Sequence, residues 1–512
     1  IGKNNRISKL KALQLAQIST NLKKDLRKIE EFKELFKKIK ERENEEPENL
    51  KVELFPYQKI GFNWLKNMYD LGLGGIMADD MGLGKTLQMI ALINLLKQRN
   101  EKLKALIVVP TSLLHNWREE FNRFSEISPI LVEGLPKERE KIVLENESGV
   151  FITTYHTLRN DIKSYKEKEF DIAVLDEAQN IKNITAQVKK AVTAINSKVN
   201  FALTGTPIEN NILELWSIFD FIQSGYLGSV NKFKKSYKEV FSNPDSKKIV
   251  NLRKIIAPFI LRRTKKEVLT ELPDKLESNV VVSLSESQKK LYMSYVDKAK
   301  KEMEGFNEKE NNRIRILAIL TKLRQICNSP ALFDGNYDGE VAKIEVLKDI
   351  LPEIVENGHR VLIFSQFVGT LKEIERELNA QGIEYFYIDG SVKSRERMDI
   401  SSRFNAGERK AVLISLKAGG TGLNLVGADV VIHYDPWWNI AVEDQASDRA
   451  HRIGQKNSVQ VIKLITEGTI EEKIIGIQEK KKLLSRNLLE EKDGEKILFE
   501  MTDSELMELI GI

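Results

Sequence analysis

Residues 74–96 read GGIMADDMGLGKTLQMIALINLL, an apolar run that leads through a glycine-rich turn into a second apolar run. A turn of this kind between a strand and a helix can wrap the phosphates of a nucleotide, because backbone N–H groups and the start of the helix face the anion. The loop departs from the usual G-x-x-x-x-G-K-T spacing, since Asp79 stands at the first glycine position. We nevertheless predict a phosphate-binding loop, in which the contacts are made by Gly82, Gly84, Lys85 and Thr86.

The charges within the loop predict different roles for its residues. Lys85 would neutralise oxygens of the β- and γ-phosphates. Asp79 and Asp80 would repel the same oxygens, because like charges at short distance destabilise each other. We therefore expect both carboxylates to point away from the phosphates, toward basic residues of another lobe.

A second element strengthens the nucleotide hypothesis. Residues 170–179, FDIAVLDEAQ, are an apolar strand that ends in Asp176 and Glu177. A carboxylate at the end of such a strand can hold Mg²⁺ through water beside Thr86, and its neighbour can orient and polarise the attacking water. The pair therefore predicts magnesium-dependent hydrolysis of a nucleoside triphosphate.

The chain alternates between strand and helix patterns from residue 51 onward, which predicts an α/β fold with parallel sheets. One series of buried strands ends near residue 206 and a second ends near residue 466, so we predict two lobes. A helix-rich, basic region separates them, and the glycine-marked residues 334–340, DGNYDGE, are the expected break. The first series is GGIMAD, KALIVVP, GVFITTYH, FDIAVLDEA and NFALTGT, and the second is RVLIFSQF, EYFYIDGS, KAVLISL, ADVVIHYD and VQVIKLIT.

These patterns give the predicted domain boundaries. Residues 22–39 carry apolar side chains at helical spacing and precede a charged linker. The predicted segments are a helical N-terminal extension and linker (1–50), a nucleotide-binding lobe (51–215), a helical basic insertion (216–339), a second lobe (340–467), and a C-terminal helical brace and tail (468–512).

The second lobe carries a candidate source of positive charge for catalysis. Residues 443–455 read EDQASDRAHRIGQ, and on a helix Gln445, Arg449 and Arg452 fall at i, i+4 and i+7 on one face. Arginine side chains aimed from one face suit phosphate oxygens, and phosphoryl transfer needs a cation on the γ-phosphate in its transition state. We predict that this lobe, which has no phosphate loop of its own, supplies these arginines to the nucleotide.

The composition narrows the class of protein. The 512 residues are 41% hydrophobic and 30% charged, which indicates packed cores in about three domains. No apolar run is long enough for a membrane span. The single cysteine, Cys327, excludes a disulfide framework, and without clustered Cys or His ligands we expect no zinc site and an intracellular setting. With a net charge of only +5, nucleic acid would have to bind in a local basic groove.

At this point the chain resembles a known family, the Swi/Snf-type ATPases of helicase superfamily two, and within it a bacterial member. The resemblance covers about residues 51–485. In the first lobe it rests on LFPYQKIGFNWL, DDMGLGKT, VVPTSLLHNW, ITTYHTLR, DEAQ and LTGTPIEN. In the second lobe it rests on VLIFSQF, DGSVKSRERMDISSRFN, LISLKAGGTGLNLVGADVVIHYDPWWN and QASDRAHRIGQ, with FILRRTKKEVLTELPDK and LTKLRQICNSPAL between the lobes.

The resemblance implies two RecA-like lobes and roles for single residues. It places Gln58 on adenine, Lys85 and Thr86 on phosphate and magnesium, and Asp176 and Glu177 at magnesium and water. It makes Arg449 and Arg452 arginine fingers. The chain departs from the family at Gln179, where most relatives have His, and this puts in doubt the coupling between lobes rather than hydrolysis.

The family implies an ATP-driven translocase on double-stranded DNA, which we expect to act as a monomer, with a DNA-bound protein as one conceivable target. Backbone contacts that read no base sequence suit such a motor. Two alternatives remain open: a helicase that separates strands or acts on RNA, and an ATP-gated clamp with little turnover. For each hydroxyl-bearing candidate a helix N-cap is an equally good interpretation. The residues predicted to contact DNA are Thr111, Ser112, Thr154, Lys417, Gly420 and Thr421, to which the basic residues Arg253, Lys254, Arg262, Arg263, Lys265 and Lys266 would add phosphate contacts.

Overall fold

The structure is a computed structural model, which describes residues 45–47, 49–181, 186–205, 212–237, 247–268, 273–303, 312–419 and 423–489. The described residues before position 271 form one compact unit, and those from 273 to 483 form a second. The predicted N-terminal extension therefore lies almost wholly outside the described residues, as does about half of the predicted C-terminal segment.

The first unit alternates helices and strands, as its sequence pattern predicts. Its α-helices and strands are α1 (Pro56–Asp70), β1 (Gly75–Met77), α2 (Lys85–Arg99), β2 (Lys104–Val109), α3 (Leu114–Phe124), β3 (Ile130–Leu131), α4 (Pro136–Glu145), β4 (Gly149–Thr154), α5 (Tyr155–Asn160), α6 (Ile162–Lys166), β5 (Phe170–Leu175), α7 (Gln187–Val192), β6 (Ser197–Leu203), α8 (Ile212–Ile222), α9 (Val230–Tyr237), α10 (Lys247–Ile256), β7 (Ile260–Leu261) and α11 (Lys265–Val268).

These strands form one parallel sheet in the order β3-β4-β2-β5-β6-β1-β7. All five strands that the sequence predicts for this lobe are confirmed. Strands β2 and β5 are almost completely buried, since helices cover both faces of a parallel sheet. Two short edge strands, β3 and β7, were not predicted, because a strand of two residues leaves no periodic pattern.

The second unit has the same alternation. Its α-helices and strands are β8 (Lys275–Val282), α12 (Glu286–Met303), α13 (Asn312–Asn328), α14 (Ala342–Glu356), β9 (Val361–Ser365), α15 (Val368–Ala380), β10 (Tyr385–Ile388), α16 (Ser394–Asn405), β11 (Ala411–Ser415), α17 (Leu416–Gly419), β12 (Val430–His433), α18 (Ile440–Ser447), β13 (Val459–Thr466) and α19 (Ile470–Leu489), the last of which extends past the division of the chain.

The second sheet is also parallel, in the order β10-β11-β9-β12-β13-β8, and it confirms the other five predicted strands. The chain enters this sheet at β8, which pairs with β13 from Lys275 opposite Val459 to Val282 opposite Thr466. The division of the chain therefore falls before β8, whereas the sequence pattern placed the break at residues 334–340. Strand β8 lies at the sheet edge and most of its side chains are exposed, so it needs no apolar run to form.

The strand order determines where the segments that follow the strands lie. Because the strands of each sheet are parallel, the segments that follow them leave from one edge, which is where α/β proteins bind ligands. In the first unit these segments include residues 78–84 after β1 and residues 176–178 after β5. Among the described residues, no helix is both long and apolar enough to cross a membrane.

Candidate active site

The glycine-rich loop joins β1 to α2 with two residues in the left-handed backbone region. Gly82 has φ of 88° and Gly84 has φ of 75°, values that strain any residue with a β-carbon. Helix α2 begins at Lys85, directly after Gly84. A β-carbon at position 84 would also lie 2.4 Å from Nε2 of Gln58. The loop therefore requires glycine at this position, and it presents backbone N–H groups at the start of a helix, where anions bind.

Buried side chains fix the second half of this loop. The carbonyl oxygen of Leu83 accepts hydrogen bonds from the Tyr57 hydroxyl (3.2 Å), from Nε2 of Gln58 (3.3 Å) and from Nε2 of Gln88 (3.2 Å). Oε1 of Gln58 accepts from the backbone N–H of Phe55 at the start of α1. Gln58 therefore lies beside the loop, and its contact with adenine stays a prediction.

Lys85 lies across the first half of the loop. Its Nζ donates to the carbonyl oxygen of Asp79 at 2.6 Å and to that of Asp80 at 3.2 Å. The backbone of the loop therefore holds the ammonium group beside the residues that are predicted to bind phosphate. Thr86 follows in the first turn of α2 and is partly exposed.

The carboxylate of Asp79 is buried and has a basic partner, but that partner is not in another lobe. It forms a two-point ion pair with Arg263 of the same unit, in which Nε of Arg263 lies 3.0 Å from Oδ1 and Nη2 contacts Oδ2. Oδ2 of Asp80 accepts from the backbone N–H of Lys265 at 3.0 Å. For Asp79 the expectation of a basic partner from the other lobe was wrong, because β7 pairs with β1 and brings residues 263–265 to the loop.

The carboxylate of Asp176 is buried at the end of β5. Its Oδ2 accepts a hydrogen bond from the indole Nε1 of Trp117 at 2.7 Å, and its Oδ1 accepts from the backbone N–H of Glu177 at 2.9 Å. Burial and the nearby charge of Glu177 raise the pKa of Asp176, while the Trp117 hydrogen bond and the charge of Lys85 oppose that rise. The hydroxyl of Tyr155 holds the Asp176 carbonyl oxygen at 2.7 Å. Two adjacent acidic groups with this burial favour a cation as their partner.

Glu177 adopts φ of 49°, which is rare for a residue other than glycine and is often associated with functional sites. Its Oε2 accepts from Nε2 of Gln179 at 2.8 Å, and Oε1 of Gln179 accepts from the hydroxyl of Thr204 at 3.0 Å. Gln179 thus connects the carboxylate after β5 with the residue that follows β6. An amide can make both bonds because it carries a donor and an acceptor.

The arginines of the second unit do not form the predicted helical stripe. Helix α18 ends at Ser447, and the chain continues through turns in which the N–H of Arg449 bonds to the carbonyl of Ala446 (3.2 Å). The carbonyl of Arg449 accepts from Leu425 instead of continuing the helix. The prediction of one helix face was therefore wrong. Arg449 is buried, at 1% exposed, whereas Gln445 and Arg452 are partly exposed.

The residues predicted to contact DNA differ in their surroundings. Thr154 is buried and caps α5, where its hydroxyl oxygen accepts from the N–H of Thr157 at 3.1 Å, so the N-cap interpretation holds for it. Thr111 is exposed and Ser112 is partly exposed. The side chain of Lys417 lies outside the described residues, as do Gly420 and Thr421. Arg263 and Lys265 are not available as free phosphate contacts, because Arg263 pairs with Asp79 and Lys265 is 7% exposed.

Sequence reasoning missed Trp117, Tyr155, Gln88 and the role of Arg263. Trp117 and Tyr155 do not stand at a spacing that points to the site, since they reach it through the fold. Gln88 lies close to the loop in the chain, because its Nε2 donates to Leu83, five residues before it. The sequence did indicate a role for a residue such as Arg263. An aspartate at a loop position that is usually a buried glycine requires a cationic partner.

The comparisons with known proteins identify similar chains. A model of the SNF2-related domain matches residues 57–332, and one of the helicase conserved C-terminal domain matches residues 342–454. A Mycoplasma pneumoniae protein named as an ATP-dependent helicase is 40% identical over 459 residues, which are 88% of this chain and 44% of that protein. YwqA of Bacillus subtilis, named as an ATP-dependent helicase/translocase, is 39% identical and covers 91% of this chain and 51% of its own length.

More distant relatives include the ISWI chromatin-remodeling complex ATPase ISW1 of Saccharomyces cerevisiae, which is 35% identical over 84% of this chain and 40% of its own length. The chain thus spans about half the length, or less, of the curated relatives that it matches. Among solved structures, the Sulfolobus solfataricus SWI2/SNF2 ATPase core in complex with dsDNA is 37% identical, covering 88% of this chain and 100% of that one, with a TM-score of 0.46.

Proposed function

The chain belongs to the SNF2-related family of ATP-dependent helicases and translocases, and on that premise we propose that it hydrolyses ATP to move along double-stranded DNA without separating the strands. The observation that carries the proposal is the composition of one sheet edge, where a phosphate loop with Lys85 follows β1, and the buried Asp176 and the partly exposed Glu177 follow β5. These are the groups that phosphoryl transfer to water requires.

The residues of this edge divide the work. The loop N–H groups and Lys85 bind the phosphates of ATP, and the carboxylate of Glu177 orients the attacking water and takes its proton. Mg²⁺ would neutralise charge on the β- and γ-phosphates when bound. The donor set fits this ion, because Asp176 offers carboxylate oxygens and Thr86 offers a hydroxyl. Burial and the charge of Glu177 raise the pKa of Asp176, so the anionic carboxylate is destabilised and a bound cation would stabilise it. Within the described residues, no cluster of three or more His, Cys, Asp or Glu is placed as a metal site, so phosphate and water would complete the coordination.

Trp117 gives a test of the magnesium assignment. Trp117→Phe removes the indole donor from Oδ2 of Asp176 and frees that carboxylate to rotate. Loss of an outer partner of a metal ligand typically weakens metal binding ~10- to 100-fold. We expect the Mg²⁺ concentration for half-maximal ATP hydrolysis to rise by about tenfold or more.

The control is Trp216→Phe, since Trp216 is also a mostly buried indole of this unit whose Nε1 donates to a backbone carbonyl, that of Gly228, at 3.0 Å. It should leave the magnesium requirement unchanged. A shift of equal size in both variants would mean that Asp176 does not handle the metal ion.

Duplex DNA is supported as the track by the relatives rather than by a groove in this chain. YwqA is named as a helicase/translocase, and the archaeal core with 37% sequence identity was solved with dsDNA. The exposed Thr111 and the partly exposed Ser112 at the end of β2 are candidates for backbone contacts, which carry no sequence information. A protein bound to that DNA would be the target displaced by such a motor.

The strand-separating alternative is tested by comparing two substrates with one preparation. We expect duplex DNA to stimulate ATP hydrolysis more than single-stranded DNA or RNA, and the stimulation to fall steeply as salt rises, because phosphate contacts release counterions. ATP should drive the displacement of a third strand annealed in the major groove, while the two duplex strands stay paired.

The measurement is a triplex-displacement assay beside a forked-duplex unwinding assay. A Lys85→Ala variant is the control for ATP dependence, since it lacks the ammonium group on the loop. Efficient unwinding of the fork without triplex displacement would replace the translocase by a helicase. Strong DNA binding with negligible turnover would instead indicate an ATP-gated clamp.

A further inference from the structure

The unusual residue of the phosphate loop, Asp79, has a specific partner. Asp79 is fully buried, and the guanidinium of Arg263 contacts both of its carboxylate oxygens. The side chain of Arg263 is itself 11% exposed. A buried carboxylate at this place would repel ATP if it were not neutralised, so the pair explains how the chain tolerates an aspartate where a glycine is usual.

Arg263 contacts other groups besides Asp79. Its Nη2 donates to Oε1 of Gln88 at 2.8 Å, its Nη1 donates to the carbonyl oxygen of Tyr57, and its Cζ lies 5.4 Å from the centre of the Tyr57 ring. Tyr57 and Gln88 are also donors to the Leu83 carbonyl at the other end of the loop. One guanidinium therefore touches the groups that hold the loop at both ends.

Gly61 independently indicates that Arg263 and Gln88 must lie close to α1. A β-carbon at position 61 of α1 would lie 1.8 Å from Oε1 of Gln88 and 2.7 Å from Nη2 of Arg263. Only glycine leaves room on α1 for the Arg263–Gln88 contact.

The segment that carries Arg263 is aligned with the loop along its backbone. Strand β7 pairs with β1, the N–H of Ala78 donates to the carbonyl of Leu261 at 2.7 Å, and the N–H of Asp80 donates to that of Arg263 at 2.9 Å. Residues 260–265 thus continue the sheet beside the residues that enter the loop. This segment precedes the division of the chain by a few residues.

We propose that Arg263 is a positioning residue for the phosphate loop, and that Asp79 stands in the loop to receive it. Arg263 acts through Asp79 on Lys85, because the Nζ of Lys85 rests on the carbonyl oxygen of the same aspartate. The inference rests on the proposed ATP hydrolysis and adds a second requirement for nucleotide binding: the segment at residues 260–265 must be docked on β1.

Arg263→Gln tests this requirement without removing a group that touches the nucleotide. We expect the dissociation constant for a fluorescent ADP analogue to rise about tenfold, which corresponds to the loss of about 1.4 kcal/mol. The control is Lys189→Gln, which breaks another mostly buried ion pair of the same unit, between Lys189 and Asp220 (2.8 Å), away from the loop. It should lower the melting temperature and leave nucleotide affinity within about twofold.

A double-mutant cycle separates positioning from general stability. If Arg263 acts through Asp79, the double variant Asp79→Asn/Arg263→Gln should bind nucleotide no more weakly than the weaker of the two single variants. The reason is that each substitution removes the same interaction. Arg263→Lys, which keeps the charge without the fork, should bind with intermediate affinity, and it replaces Arg263→Gln if that variant fails to fold. Gly61→Ala should weaken nucleotide binding in the same direction.

Wild-type affinity in a folded Arg263→Gln or Arg263→Lys protein, or additive losses in the cycle, would overturn the inference. These readouts use nucleotide binding and melting temperature alone. A wild-type protein that shows no stimulation by duplex DNA would therefore refute the proposed translocation while leaving the role of Arg263 to be decided by its own measurements.

Discussion

Replacing Glu177 by Gln is expected to lower the rate of ATP hydrolysis by ~10²- to 10⁴-fold while ATP still binds with nearly normal affinity. The substitution removes the charge that we propose accepts the proton of the attacking water, and it preserves the size of the side chain. The amide oxygen of Gln can still accept from Nε2 of Gln179, so the local arrangement, including the link to Thr204, should persist. The loss would therefore fall on the chemical step.

The measurement pairs steady-state hydrolysis with a titration of bound ATP. Glu169→Gln is a matched control, because Glu169 precedes the same strand, β5, at the opposite edge of the sheet and is exposed. It should change neither rate nor affinity. If Glu177→Gln retained near-normal hydrolysis, the role of this carboxylate in handling water would have to be given up.

Arg452→Ala should reduce turnover by ~10³-fold or more and leave nucleotide affinity nearly intact, as the loss of an arginine finger does. The proposed role of Arg452 is to stabilise charge that develops on the transferred phosphoryl group. Its removal would therefore raise the free energy of the transition state and leave that of bound ATP nearly unchanged. Its side chain is partly exposed, so its removal should lower the melting temperature less than removal of the buried Arg449 does.

Two further variants separate this role from a structural one. Arg449 is 1% exposed, so Arg449→Ala should lower the melting temperature as well as the rate. Arg403 forms an exposed ion pair with Glu408 in the same unit, and Arg403→Ala should affect neither quantity. Equal losses of affinity and rate in Arg452→Ala, together with a lower melting temperature, would assign Arg452 to folding.

The parts of the local structure that the sequence predicted correctly are those that depend on neighbouring residues. The run from Gly75 to Arg99 specifies a strand, a turn and a helix, since its apolar periodicity and its glycines act within a few residues of one another. The same holds for the strand that ends before Asp176. Strand–helix alternation implies parallel pairing, and parallel pairing brings the carboxyl ends of β1 and β5 to the same edge of the sheet.

The arginine stripe shows where local reasoning failed. The spacing of Gln445, Arg449 and Arg452 is helical, but the carbonyl of Arg449 bonds to the N–H of Leu425, and the helix ends at Ser447. A tertiary hydrogen bond competed with the next helical one. Strand β8 is the converse case, because its pairing with β13 extends the strand over Lys275–Asn279, which carry no apolar run.

The amino-acid sequence by itself determined the strand–helix alternation, the glycine-rich turn after β1 and the adjacent carboxylates after β5, because each of these is encoded by residues close together in the chain. The tertiary structure decided which side chains hold them. Trp117 reaches Asp176 across 59 positions, and Arg263 reaches Asp79 across 184. Such contacts follow from the order of strands in the sheet and from which buried charge must be neutralised, and both are properties of the packed molecule rather than of any short segment.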